Sequence, residues 1–151
     1  MPLPKSVTKV DKAGGITFES NVDRTNYLLK ELVRRAQFDT AKLIRKRLIL
    51  EYKKLPGMKR SRRIYLSTQY WVRKYDGDLQ IGHKSDTWYG ARSELGTHGS
   101  PPRNILRNTV MSSVDDIRRI QGQYLSAIES ENKAIGLVNE QEYTSPDGEE
   151  S

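Results

Sequence analysis

Residues that could do acid–base or metal chemistry are few in this chain and widely spaced. It has two histidines, His83 and His98, and no cysteine. Neither histidine has the regularly spaced His or carboxylate neighbours that a metal site requires, so we interpret both as surface or loop residues. Asp115 and Asp116 are adjacent, and adjacent residues of a helix point in different directions. We therefore expect both carboxylates to be solvated, and we predict no metal and no cofactor.

Glu94 is the carboxylate whose surroundings are most informative. It lies two residues before Gly96-Thr97, where its side chain could accept N–H groups of a loop and hold the turn. No second titratable group accompanies it, so we favour this structural role over acid–base catalysis. A nuclease-like or toxin-like enzyme built on Glu94, His83 and His98 is the last of our three hypotheses, and we predict that the chain is not an enzyme.

The segment around Glu94 resembles a joint between two elements. Trp88, Tyr89, Ala91 and Leu95 form an aromatic-rich pattern that predicts a strand over residues 87–95. Glycines then permit backbone conformations that other residues avoid, and a pair of prolines suits the first turn of a helix. The residues to which we assign this structural joint are Glu94, Gly96, Thr97, Pro101 and Pro102.

The flanking segments predict the elements that must carry this joint. In chain order they are a short strand at Ile16–Phe18, helical spacing from residue 21 to 55 as one bent helix or two, a strand at 64–75, a hairpin turn at Asp76-Gly77, and a long helix over 102–137. The predicted fold class is therefore α+β: a small antiparallel sheet packed by an N-terminal helix (or helix pair) and a long C-terminal helix, with flexible terminal arms. We divide the chain into an N-terminal arm (1–15), a single α+β domain (16–138) and an acidic, disordered tail (139–151).

Charge is distributed unevenly along the chain. The net charge of +7 includes seven acidic residues against Lys133 alone from Glu129 onward, which leaves 25 basic and 12 acidic residues elsewhere. Ten of these basic residues lie between Lys42 and Arg63, with Glu51 as the only acid there. Such a cluster attracts nucleic acid or acidic subunit surfaces. The candidate DNA or subunit contacts are Lys59, Arg60, Arg62 and Arg63.

No apolar run approaches the roughly 20 residues that span a bilayer, so we predict no membrane partner. The first 15 residues, MPLPKSVTKVDKAGG, contain no apolar core of a signal peptide.

Three pieces of the chain, in order, resemble the neck or head–tail joining (tail-completion) proteins of tailed bacteriophages. Residues 35–43, RAQFDTAKL, resemble the family's Arg-Ala-Pro-x-Asp-Thr-Gly-x-Leu element, which follows its first helix. Residues 89–97 resemble its strand that closes in Glu-Phe-Gly-Thr, here Glu94-Leu95-Gly96-Thr97. Residues 101–107, PPRNILR, resemble the proline-rich entry to its last helix.

The resemblance implies a structural virion protein, assembled in the cytoplasm of the bacterial host. Its subunits form a homo-oligomeric ring, six-fold or twelve-fold, in the virion neck. The ring lies between the connector or head-closure protein and the tail terminator or tail tube protein. The genome passes through its lumen, where nonspecific contact with DNA is expected.

The alternative hypothesis is a small basic nucleic-acid-binding protein. It predicts tight duplex binding that weakens steeply with salt and is lost when Arg60, Arg62 and Arg63 become Ala.

Overall fold

The structure, a computed structural model, describes residues 4–5, 7–11, 13–55, 64–73, 77–130, 133–135 and 137. Its elements are β1 (Val7–Asp11), β2 (Ile16–Ser20), α1 (Val22–Lys53), β3 (Thr68–Val72), β4 (Leu79–His83), α2 (Trp88–Leu95), α3 (Ile105–Ser112) and α4 (Val114–Ser126), with short 3-10 turns at Ile64–Ser67 and Ala127–Glu129. The strands form two separate antiparallel pairs, β1–β2 and β3–β4. This mixture of antiparallel strands and helices confirms the predicted α+β class.

The chain divides into two compact units. The first comprises Met1–Arg35 and Gln123–Ser151, and the second comprises Ala36–Gly122. The joint and the basic cluster between Lys42 and Arg63 belong to the second unit. The acidic tail at 139–151, expected to be disordered, lies outside the described residues.

In the first unit, β1 and β2 form a hairpin whose register runs from Val7 opposite Ser20 to Asp11 opposite Ile16. The strand predicted at Ile16–Phe18 is confirmed and extends to Ser20. Val7–Asp11, within the N-terminal arm that we expected to be flexible, form strand β1. This segment pairs with β2 of the same chain along its whole length.

Helix α1 is one continuous element, which settles the choice between one helix and two. Its 32 residues contain neither glycine nor proline, so nothing in the backbone forces a break at Asp39-Thr40. Thr40 and Ala41 are both buried inside the helix. The segment that resembles the family's element after its first helix therefore lies within α1.

The core of the second unit forms along one face of α1. This face carries the buried apolar stripe of Ala41, Ile44, Leu48 and Tyr52, because residues three or four apart in the sequence lie on the same side of a helix. Ile64 joins this cluster, and the side chains that pack around it are Leu55, Tyr65, Ile81, Tyr89, Ile105, Leu106, Val110 and Ile117. The core thus draws on α1, β4, α2, α3 and α4.

Strands β3 and β4 form the hairpin predicted around Asp76-Gly77. Thr68 pairs with His83 at one end and Val72 with Leu79 at the other. The predicted strand at 64–75 begins later than expected, because Ile64–Ser67 form a 3-10 turn in which the Ser67 hydroxyl donates to the Ile64 carbonyl at 2.7 Å. Residues 74–76 lie outside the described part of the chain.

The long helix predicted over 102–137 is divided at Ser113 into α3 and α4. Ser113 is fully buried, and its hydroxyl donates to the Thr109 carbonyl at 2.7 Å. The same hydroxyl accepts an N–H from Arg47 of α1 at 2.7 Å. A serine that bonds to a backbone carbonyl one turn earlier favours a bend in a helix, and Arg47 holds this one in place.

Asp116 is not the solvated residue that we expected. It forms an ion pair with Arg47 of α1 and a second with Arg119 of its own helix. Asp115 is fully exposed, in agreement with the expectation. Arg47 therefore ties α1 to the bend itself at Ser113 and to α4 at Asp116.

Candidate functional site

The prediction of a strand over residues 87–95 is wrong, because residues Trp88–Leu95 form helix α2. The exposed side chains of Trp88, Arg92 and Leu95 recur at helical spacing, whereas Tyr89 faces the core. Gly90 is buried between them, and a Cβ built there would lie 2.9 Å from Cγ of His83. Glycine lets α2 approach the histidine ring closely.

His83 lies at the end of β4 and is not the surface or loop residue that we expected. Its Nε2 lies 3.0 Å from the Tyr52 hydroxyl, and its Nδ1 lies 3.2 Å from the Ser67 hydroxyl. Since Ser67 donates its own proton to the Ile64 carbonyl, it accepts from Nδ1–H of His83. In the neutral ring with its proton on Nδ1, Nε2 then accepts the Tyr52 proton. His98 lies exposed in the turn after Gly96, as expected.

The electrostatics of this chain of hydrogen bonds favour its neutral form. Burial lowers the pKa of His83, and the nearby negative charge of Glu94 opposes that effect more weakly. Burial also raises the pKa of Tyr52 well above its ordinary value, and Glu94 acts in the same direction. Both groups therefore keep, at neutral pH, the protonation that the hydrogen-bond directions require.

Glu94 caps a helix other than its own. Its Oε1 accepts the backbone N–H of Arg107, in the first turn of α3, at 3.1 Å. Asn104, the residue before α3, has a left-handed backbone (φ 50°, ψ 32°) and supplies no side-chain cap. Glu94 therefore satisfies an N–H that would otherwise lack an acceptor, and its charge lies at the positive end of the helix dipole. We expected Glu94 to accept N–H groups of the loop, whereas the N–H group that it accepts belongs to Arg107 of α3.

The lead into α3 bonds back to the end of α2. The last carbonyls of α2 accept N–H groups from Gly96 (to Arg92, 2.9 Å), Arg103 (to Ser93, 3.0 Å) and Asn104 (to Glu94, 3.3 Å). Helix α3 begins only at Ile105, so Pro101 and Pro102 precede it and do not form its first turn. Three of the four carbonyls at the end of α2, those of Arg92, Ser93 and Glu94, are thereby satisfied.

Gly96 is the closest point of the joint. Its backbone (φ 78°, ψ 169°) lies where residues with a side chain are strained. A Cβ there would lie 2.8 Å from the Pro102 nitrogen and 2.9 Å from the Ser100 carbonyl. Thr97 and Ser100 exchange two backbone hydrogen bonds of 2.9 and 3.0 Å, which close the turn between them. Four of the five assigned joint residues, Glu94, Gly96, Thr97 and Pro102, thus make contacts that connect the end of α2 with the lead into α3.

The joint leaves one face of α2 open, and we call Trp88, Arg92 and Leu95 the α2 face. Trp88 is 63% exposed and Leu95 is 77% exposed. The Arg92 guanidinium lies 4.8 Å from the centre of the Trp88 ring, a cation–π contact that restricts both side chains.

Part of the basic cluster serves the fold. Arg45 donates from Nε to the Thr68 carbonyl at 3.1 Å, and Arg47 binds Ser113 and Asp116. Lys42 and Lys46 are exposed on α1. The four candidate contact residues Lys59, Arg60, Arg62 and Arg63 lie outside the described residues.

Sequence reasoning missed Tyr52, Arg47 and Ser113 as members of polar networks. Tyr52 fitted the apolar stripe of α1, and Ser113 fitted a continuous helix. Within the described ranges, no group of three or more His, Cys, Asp or Glu side chains is placed to hold a metal ion. No helix among the residues described is long and apolar enough to cross a membrane. No protein-family model, curated protein or solved structure matches this chain.

We expect Gly96→Ala to lower the free energy of unfolding by about 3 kcal/mol or more, because a Cβ there adds a clash to backbone strain. Gly99→Ala is the matched control, since Gly99 also has a positive φ (93°) but nothing within 4 Å of its Cβ position. It should cost only about 1–2 kcal/mol. Urea unfolding of both variants measures the difference, and equal losses would contradict a close approach at Gly96.

We expect stability to fall as pH drops below about 6.5, the ordinary pKa of histidine. The pKa of folded His83 is lowered, so between that value and 6.5 the unfolded chain binds a proton that the folded chain does not. The contribution is complete above 6.5 and is lost toward the folded pKa. Urea midpoints at a series of pH values, compared with His83→Gln, isolate it. Parallel pH profiles for the two proteins would show that His83 does not carry the effect.

Proposed function

We propose that this chain is a structural virion protein of a tailed bacteriophage that joins the DNA-filled head to the tail. It acts as a subunit of a homo-oligomeric ring in the neck. Two of the three pieces that resemble the head–tail joining family in sequence, residues 89–97 and 101–107, meet at the joint between α2 and α3, although the first piece is a helix here and a strand in the family. The observation that carries the proposal is the exposed α2 face directly beside that joint.

The α2 face has the composition of a protein interface. Trp and Arg are enriched among residues that dominate binding energy, and here Arg92 stacks on Trp88. Burial of apolar surface contributes roughly 25 cal/mol per Å², so an exposed tryptophan and leucine on one face gain free energy when a partner covers them. We infer that a neighbouring copy covers the α2 face in the ring.

The joint explains why such a face would bind without rearrangement. Glu94, Gly96 and Pro102 fix the end of α2 against the start of α3 by the contacts described above. A surface held in its bound conformation loses little conformational entropy on association. On this proposal, the chain functions by presenting a rigid surface that a neighbouring subunit binds.

The remaining partners follow from the same proposal. The ring contacts the head-closure or connector protein on one side and the tail terminator or tube protein on the other. Lys42 and Lys46, exposed on α1, are suited to nonspecific contact with the phosphates of passing DNA.

Nucleic-acid binding as the main role remains a second hypothesis. Arg45 and Arg47 are engaged within the fold, which leaves the described part of the cluster with fewer basic side chains for phosphate than the sequence suggested.

Deleting this gene from the phage that carries it should yield DNA-filled heads and separate tails, and the wild-type chain supplied in trans should restore joined particles. Leu95→Asp should lower the titre of infectious particles by about a hundredfold or more, because it places a charge in the covered interface. Plaque titre and electron microscopy of lysates measure both effects.

The matched control is Met111→Asp, which alters an exposed apolar residue (65% exposed) on α3 outside the α2 face. It should complement as the wild type does, and circular dichroism should show both variants folded. Full complementation by Leu95→Asp would refute the role of the α2 face. Joined particles without the gene would refute the neck function.

A further inference from the structure

The second unit contains an open groove between α1 and α3. Its volume is about 780 Å³, and its lining includes Arg47, Leu50 and Lys54 of α1 and Ile105, Asn108 and Thr109 of α3. Leu50 is 53% exposed although it lies in the apolar-rich part of α1. The groove therefore offers an apolar anchor point beside hydrogen-bonding and cationic side chains.

The α1 side of this groove carries positive charge that is available at little cost. Lys54 pairs with Glu51 at 2.6 Å, but both side chains are largely exposed, and such surface pairs contribute at most about 1 kcal/mol. Lys46 and Lys53 are exposed on the neighbouring turns of α1. Lys54 can therefore exchange its partner for another carboxylate. Glu51 also lines the groove, and Arg47 is paired with Asp116. The positive charge that favours an acidic, extended occupant thus comes from Lys54 together with Lys46 and Lys53 beside it.

The chain itself contains a segment of that chemistry. Residues 138–151, VNEQEYTSPDGEES, carry five carboxylates and no basic residue, with Tyr143 as their single aromatic side chain. We propose that the groove binds this acidic C-terminal segment of a second copy of the chain. Tyr143 would lie against Leu50, and the carboxylates would pair with the α1 lysines.

The choice of a second copy rests on the proposed ring. The segment and the groove are different surfaces, so a contact between copies is heterologous, the type of contact that builds a ring when the rotation from copy to copy closes. Fourteen extended residues reach about 45 Å, more than the roughly 30 Å diameter of a small domain. The segment is thus long enough to extend from one subunit onto the next.

Site-specific crosslinking in the full-length chain tests this. Tyr143 is replaced by photoreactive benzoylphenylalanine, and protein labelled with ¹⁵N is mixed with unlabelled protein at low salt before irradiation. Mass spectrometry then identifies both the crosslinked peptides and their isotopes. We expect Tyr143-position crosslinks to peptides that contain Leu50 or residues 105–109. Pairs in which one peptide carries ¹⁵N and the other does not would show that the crosslink joins two copies.

The matched variants locate the contact. Leu50→Asp combined with Lys54→Glu should lower the crosslink yield by about tenfold or more, as expected for a loss of 1.4 kcal/mol or more in binding. High salt should lower the yield as well, since screening weakens exposed ion pairs. Met111→Asp, at an exposed position of α3 outside the groove lining and the α2 face, should leave the yield of the groove crosslink unchanged.

Three results would overturn the proposal: crosslinks elsewhere on the chain, pairs of a single isotope only, or a yield unaffected by the groove variant. Each of these leaves the neck function intact, because gene deletion and the Leu95→Asp particles test that function separately. The opposite combination is also possible. Groove crosslinks between copies would support binding of the C-terminal segment, while joined particles in the deletion strain would refute the neck function.

Discussion

The close approach of the α2 end to the α3 lead at Gly96 is the constraint on which the second unit depends. Pro102 lies where a side chain at Gly96 would be, and this proximity lets Arg103 and Asn104 satisfy the last carbonyls of α2. It also brings α3 within reach of the Glu94 carboxylate. Any residue larger than glycine would separate these groups, and with them the α2 face from its support.

His83 and Glu94, two of the three residues that resembled candidate catalysts, hold elements of this unit together. His83 links α1 to the 3-10 turn through Tyr52 and Ser67, and Gly90 allows α2 to pack on its ring. Asp116 and Arg47 do the same for the α3–α4 bend. The α2 face that remains exposed is apolar and cationic, a composition that suits contact with another protein surface.

Local sequence patterns predicted those elements that are determined by residues close together in the chain. The buried stripe of α1 and the β3–β4 hairpin follow from spacing and from a turn dipeptide. The strand assigned to 87–95 was wrong. A helix of only eight residues with aromatic side chains on two faces has a sequence pattern that is similar to the aromatic-rich pattern of a strand. The α2 packing depends on His83, seven residues before Gly90, and the Glu94 bond reaches thirteen residues ahead to Arg107. Such pairings depend on tertiary structure, as does the burial of Ser113.

The central claim is that the chain is part of the virion neck, and its position in intact particles tests this most directly. Purified virions of the phage that carries the gene are labelled with a gold-conjugated antibody against the chain and imaged by electron microscopy. The account predicts gold at the junction between head and tail, and label on free tails or free heads only at the end that joins. Label along the capsid or at the distal tail tip, or virions that lack the chain altogether, would contradict it.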